Sequence, residues 1–324
     1  MAKIDFLAIG DTVIDDFIKL KDARVNCDIN DENCTITMRF ADKIPFESST
    51  AVYGVGNAAN AAVSASRLGL ASGLITNIGD DDRGDKVISH FKEEKIDRKF
   101  IARHRGAPTN YHYVLWYESD RTILVNHFHY PYVFPKNIGE PKTVYLSSLG
   151  EGTEEYHAAI SDWLLDHPKV FFAFQPGTFQ IKLGLNALAR LYGRADVLFA
   201  NKEEYQRILG LPDTDDDIPD LLKKMKEKGP KLPFLTDGVK GVYVLIEDGS
   251  VEHMDMFPDP APPVERTGAG DAFSSTTAAY LTMGMSLKDA MLRGTANSAY
   301  VVQKIGAQEG LLTKTVLEDI VRRS

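Results

Sequence analysis

Short apolar runs at 4–9, 73–78, 143–148, 169–174, 196–200, 233–237 and 242–246 alternate in this sequence with longer amphipathic stretches at 57–69, 83–95, 154–167, 180–192, 202–210 and 217–229. Runs of that length bounded by turn residues read as buried strands, and the stretches between them as helices. A repeated strand–helix–strand order buries both faces of a sheet only when the strands are mostly parallel and helices cover them, so the pattern predicts an α/β fold. From residue 270 the periodicity turns helical, over Asp271–Met283, Leu287–Ile305 and Thr315–Arg323, which packs further helices onto the sheet. Two segments break the rhythm. Residues 17–50, with the alternating Thr35 to Phe40, and residues 97–133, with Thr109 to Trp116, read as antiparallel strands that pair into a small sheet over a ligand cleft. A chain of 324 residues is therefore expected to form one α/β domain over 1–324, with a lid subdomain from insertions at about 17–50 and 97–133.

Charge and residue usage exclude several classes. A formal net charge of −9 argues against a sequence-independent grip on nucleic acid, which needs clustered Lys and Arg. No stretch approaches the roughly 18 apolar residues of a membrane span. Asp5 and Asp11 interrupt any leader-like apolar run in Met1 to Gly10, which reads as a first strand, and a cytoplasmic protein is expected. Cys27 and Cys34 lack a second Cys or His pair at zinc spacing and read as reduced bystander thiols. His127 and His129 alternate without an evident third ligand and read as strand-surface or lid histidines rather than a metal pair. The acidic clusters 80–82 and 213–217 read as solvated loops, and Met283 and Met285 as core filling.

The stretch Thr267-Gly268-Ala269-Gly270-Asp271-Ala272-Phe273 carries the most chemistry. Two glycines allow a tight turn just before an apolar-periodic helix, whose first-turn N–H groups have no intrahelical partner. Together with the helix dipole these donors make a site for anionic charge, such as that on a transferring phosphoryl group. An acid in the same turn can take the proton of an attacking hydroxyl, a contribution of about 10²–10⁴ in rate. Asp271 is the candidate base, with Gly268, Ala269 and Gly270 as the amide donors. The plain alternative is a Gly-rich turn whose acid only satisfies the dipole.

Arg266 to Phe273 resembles the C-terminal signature of the ribokinase-like (PfkB) carbohydrate kinase family, and further motifs occur in the family's order. Gly10-Asp11-Thr12-Val13-Ile14-Asp15 resembles the first-strand loop, which passes a substrate-hydroxyl role to Asp15. Gly56-Asn57-Ala58-Ala59-Asn60 resembles the Gly-rich sugar-binding motif, which implies Gly56, Asn57 and Asn60 as substrate-binding residues. Gly79 to Gly84 is similar to the next turn of the family. Asn201-Lys202-Glu203-Glu204 resembles the Asn-x-x-Glu element, which implies that Asn201 and Glu204 position Mg²⁺, largely through water. Thr236 to Gly241 resembles the nucleotide loop, implying Thr236, Gly238 and Gly241 beside ATP, and Ala296-Asn297-Ser298-Ala299 looks like the adenine-side helix, implying Asn297. Single matches of this kind arise by chance, whereas seven in order do not.

The resemblance implies a ribokinase-like sheet flanked by helices under a β lid, with ATP and Mg²⁺ as cofactors and a sugar or sugar-like acceptor. The strand-end positions of Asp15, Asn201 and Thr236 agree with it, because open parallel sheets bind ligands there. No Gly-x-x-x-x-Gly-Lys-Ser/Thr motif is present, so a P-loop enzyme is excluded. Three departures stand out. Val55 replaces a common glycine, Glu265 replaces a frequent Asp that helps bind a monovalent cation, leaving potassium as an open cofactor, and Gln175-Pro176-Gly177-Thr178 replaces a common Asp-x-Asn-x-Arg run, so no role passes to it. Competing readings are a nucleoside kinase of the same fold, for which Tyr111, Tyr113 and Tyr117 on one strand face would stack a base, an inactive sugar sensor, and a dehydrogenase suggested by Gly54-Val55-Gly56-Asn57-Ala58-Ala59. A homodimer through the lid is also expected, since such a sheet has an edge or face to cover.

Overall fold

A computed structural model describes residues 3–27, 34–117 and 120–324; residues 28–33 and 118–119 of the two expected insertions, and Met1 and Ala2 of the expected first strand, lie outside the described residues. In chain order the elements are β1 (Phe6–Ile9), β2 (Val13–Leu20), β3 (Arg24–Asn26), β4 (Thr35–Thr37), β5 (Phe46–Val55), α1 (Asn57–Arg67), β6 (Ser72–Gly79), α2 (Asp82–Glu93), β7 (Ile101–His104), β8 (Tyr111–Tyr117) and β9 (Asp120–Leu124). They continue as β10 (Thr143–Leu146), α3 (Glu154–Asp166), β11 (Phe171–Phe174), α4 (Thr178–Leu183), α5 (Ala189–Arg194), β12 (Val197–Asn201), α6 (Lys202–Leu209), α7 (Ile218–Lys226) and β13 (Leu232–Thr236). The chain ends with β14 (Val242–Leu245), β15 (Val251–Met254), α8 (Ala269–Thr282), α9 (Leu287–Val301) and α10 (Lys314–Arg323).

Nine strands form the main sheet in the order β15-β14-β13-β12-β11-β10-β1-β6-β7. The pairs from β7 across to β13 are parallel, and only the β13-β14-β15 edge is antiparallel. Alternate residues serve opposite faces, as the strand pleat requires. Phe6 and Ala8 join the core under α1, α8 and α9, while Leu7 and Ile9 join the core under α3, α5, α6 and α7. The α/β architecture expected from the alternating runs is thus the one found. The single helix expected at 180–192 is two, because Gly184 at φ 89° ends α4. Among the described residues no helix is long and apolar enough to cross a membrane.

A second sheet has the order β5-β2-β8-β9. Its central pair, β2 with β8, is parallel rather than antiparallel. The reason is that β2 follows β1 and β8 follows β7, two strands that already run the same way in the main sheet. The Gly54-Val55-Gly56 run ends β5, which pairs antiparallel with β2 in this small sheet, so it is not the βαβ turn that a dinucleotide fingerprint needs. Beyond it, β3 and β4 form a two-stranded hairpin in which Asn26 faces Thr35. That register sets Cys27 against Cys34, with their Cα atoms 4.0 Å apart, and they are joined as a disulfide. The expectation of reduced thiols is corrected accordingly; hairpin pairing, not spacing in sequence, brings the sulfurs together. Such a bridge and a reducing compartment pull in opposite directions.

Candidate active site

The site forms where α8 meets the carboxyl ends of β11, β12 and β13. Gly268 caps α8 in a left-handed conformation at φ 81°, where a Cβ would lie 2.5 Å from that of Ala307. This turn faces a cavity of about 200 Å³ lined by Gly268, Ala269, Gly270, Asp271, Asn57, Gln175, Asn201, Glu204, Thr236 and Arg121, among others.

Both carboxylate oxygens of Asp271 are engaged by amides from distant parts of the chain. Asn60 Nδ2, on α1, donates to Oδ2 at 2.7 Å, and Gln175 Nε2, just past β11, donates to Oδ1 at 2.9 Å. Burial holds the Asp271 carboxyl above its ordinary range, these two donors pull it back, and the negative charge of Asp15 adds to the rise. The amide of Asn60 is oriented in turn, since Gln308 Nε2 donates to its Oδ1 at 2.9 Å.

In the small sheet, Asp15 of β2 faces His112 of β8, with Oδ1 3.2 Å from His112 Nδ1. His112 stacks on His127, their Nε2 atoms 2.9 Å apart, and His127 Nδ1 lies 3.7 Å from Asp11. His127 is past the end of β9 and packs against the small sheet, a lid position rather than the strand-surface one of the two expected, whereas His129 is exposed. Asp11 itself is buried, taking hydrogen bonds from Tyr132 Oη and from the Gly150 N–H. Gly56, at φ 110°, leads into α1; a Cβ there would meet the Asp11 carbonyl oxygen at 2.6 Å. The tyrosine stripe lies on the other face of the small sheet. Tyr111 Oη donates to Asp16 at 2.9 Å, with the Arg83 guanidinium over its ring, so it points away from the Asp15–His112 pair.

At the carboxyl end of β12, Asn201 and Glu204 form a reciprocal capping box at the start of α6, with Glu204 N to Asn201 Oδ1 at 2.8 Å and Asn201 N to Glu204 Oε2 at 2.9 Å. Burial raises the Glu204 carboxyl above its ordinary range, and the Asn201 N–H partly offsets this. Thr236 lies beside Asn201, in register at the ends of β13 and β12. Gly238 and Gly241, at φ 50° and 89°, shape the 3₁₀ turn that follows. Asn297 is corrected. It is fully buried, its Nδ2 donating to Thr276 at 2.8 Å and its Oδ1 accepting from Leu312 N at 2.9 Å, so it ties α9 to α8 and does not face the cleft.

Glu204 offers one carboxylate beside the anion-binding turn, which fits Mg²⁺ held mainly by phosphate oxygens and water. Glu265 is buried, and its two oxygens accept from the Thr267 N–H at 2.6 Å and the Gly306 N–H at 2.8 Å, which ties the turn before α8 to Gly306. Gln175 and Arg121 are among the cleft residues left unassigned in the sequence: Gln175 sits in a run without a recognised pattern, and Arg121 lies in β9, paired with Trp116, with no motif around it. Among the described residues the buried Nε of Arg121 has no hydrogen-bond partner.

Residues 22–314 match the model of a family described as pfkB family carbohydrate kinase. An ATP-dependent 6-phosphofructokinase of Thermoanaerobacterium thermosaccharolyticum is 25% identical over 319 residues, spanning 94% of this chain and 90% of that protein. A nucleoside kinase of Methanothermobacter thermautotrophicus is 24% identical over 319 residues, spanning 95% and 92%. The structure of Arabidopsis thaliana ribokinase, complexed with ribose and ATP, covers the whole of both chains with a TM-score of 0.82 at 17% identity, a likeness of fold.

Proposed function

This chain belongs to the pfkB family of carbohydrate kinases, and on that footing we propose that its cleft transfers the γ-phosphoryl group of ATP to a hydroxyl of a sugar or sugar-like small molecule. ATP-dependent phosphoryl transfer is the activity typical of the family; the acceptor is the finer part of the reading. One observation supports it above others: the Asp271 carboxylate and the amide turn Gly268–Gly270 line the same small cavity.

In this reading the acceptor hydroxyl lies against Asp271. Its O–H bond breaks as the proton passes to the carboxylate, the freed electron pair forms a bond to the γ-phosphorus, and the bond from phosphorus to the β-phosphate oxygen breaks, releasing ADP. The donors of Gly268, Ala269 and Gly270 receive the charge that builds on the moving phosphoryl oxygens. Arg121 of β9 lines the same cavity and would add a guanidinium to the same charge. Magnesium bound with ATP supplies further charge compensation, and Glu204 with Asn201 would hold it through water. Thr236, Gly238 and Gly241 border the nucleotide.

Asp15 and the His112–His127 pair, with Gly56, Asn57 and Asn60 beside them, offer a carboxylate, imidazoles and amides to acceptor hydroxyls. We place the uncharged polyols ahead of nucleosides, since the tyrosine stripe that would stack a base is turned from Asp15. A homodimer through the lid would cover that outer face, where Tyr113 pairs with Leu124 and both are exposed. A screen coupled to ADP formation, run over pentoses, hexoses, sugar phosphates and nucleosides, is expected to respond to an uncharged pentose or hexose. No acceptor-dependent ADP across the panel would sink the reading, and a response confined to nucleosides would replace the acceptor.

A further inference from the structure

We infer that Gln175 is a positioning residue that holds Asp271 in one orientation inside the cleft. The inference rests on Asp271 being the base of the proposed reaction.

A glutamine amide presents a donor at one end and an acceptor at the other, and either end can be turned toward a neighbour. Here the direction is fixed. A carboxylate only accepts, so the Nε2 end faces Asp271 Oδ1, 2.9 Å away, and the Oε1 end takes a hydrogen bond from the hydroxyl of Tyr145, a fully buried residue of β10, at 2.6 Å. The backbone is pinned as well: Gln175 N donates to Leu146 O at 2.9 Å, and Ser147 Oγ donates to Gln175 O at 2.9 Å. The residue thus continues the β10–β11 ladder past its last pair, and its side chain is locked by a phenol that has no room to move.

The chemical consequence follows from acceptor counting. Each carboxylate oxygen carries two lone pairs, and Gln175 and Asn60 take one on each oxygen, leaving one free on each. A substrate hydroxyl meets the remaining lone pair in a direction set by the two amides. The same donors favour the charged form against the burial that disfavours it. Transfer requires ionised Asp271, so activity is retained above the pKa of that group and lost as pH falls through it. Removing the Gln175 donor moves that loss to higher pH.

The test is the acid limb of kcat in the full-length enzyme with its preferred acceptor. Gln175→Leu is expected to move the limb up by about one pH unit and to lower kcat about tenfold at pH 7, with KM for ATP within about twofold. Tyr145→Phe, which removes a single oxygen and leaves the packing in place, is expected to move the limb the same way by less. In an Asp271→Asn background the Gln175→Leu change is expected to cost almost nothing further, because the group it serves is gone. An unmoved limb in both variants, or an equal loss with and without Asp271, overturns the positioning role while leaving the kinase reading intact. Near-normal turnover of Asp271→Asn alone overturns the base assignment and this inference with it.

Discussion

The two sides of the cleft are built by opposite means. On the nucleotide side the contacts are local: Asn201 and Glu204 cap each other across three residues, and Gly268 turns the chain directly into α8. On the acceptor side they are remote. Asp15 meets His112, 97 positions along the chain, Asn60 meets Asp271 across 211 positions, and Gln175 meets it across 96. On the proposed reading, such a site keeps its phosphate-handling residues through short motifs while its acceptor pocket changes with the small sheet that supplies Asp15 and His112.

Asp271 belongs to both sides, so the comparison breaks first there. Asp271→Asn is expected to lower kcat by at least about 10², with nucleotide binding retained by calorimetry. Arg121→Ala tests whether the lid reaches across to the phosphoryl. It is expected to weaken binding of a non-hydrolysable ATP analogue about tenfold and leave ADP unchanged, because the proposed reading puts the terminal phosphate at the Gly268–Gly270 turn. Equal effects on both nucleotides would return Arg121 to the lid alone. The smallest effect is expected from His112→Phe, which leaves Asp15 without its partner: KM for the acceptor rises about fivefold while KM for ATP stays put. A change in both constants would show that the two sides are not separable.

What was legible in the sequence follows the same division. Periodicity gave the main sheet and its helices because each run is a local property, and the capping box and the Gly268 turn are likewise written in consecutive residues. The direction in which a residue faces is not. Alternation in Tyr111 to Tyr117 shows that two faces exist, and only pairing with β2 shows that His112, not the tyrosines, lies beside Asp15. Asn297 sits in a helix that resembles the adenine side, yet its amide is used up between Thr276 and Leu312. Gln175 could not be found at all from its neighbours, because its role depends on Tyr145 at one end and Asp271 at the other. Cys27 and Cys34 needed the β3–β4 register before their proximity could be seen.

The chain passes from the main sheet to the small one at Gly10 and returns at Gly56, and the two crossings touch: a Cβ on Gly10 would lie 2.7 Å from Ala58, and one on Gly56 would lie 2.6 Å from Asp11. The gap of the jaw is thus gauged by two missing methyl groups. A single carbon added at either crossing would act as a shim between the two sheets where they join.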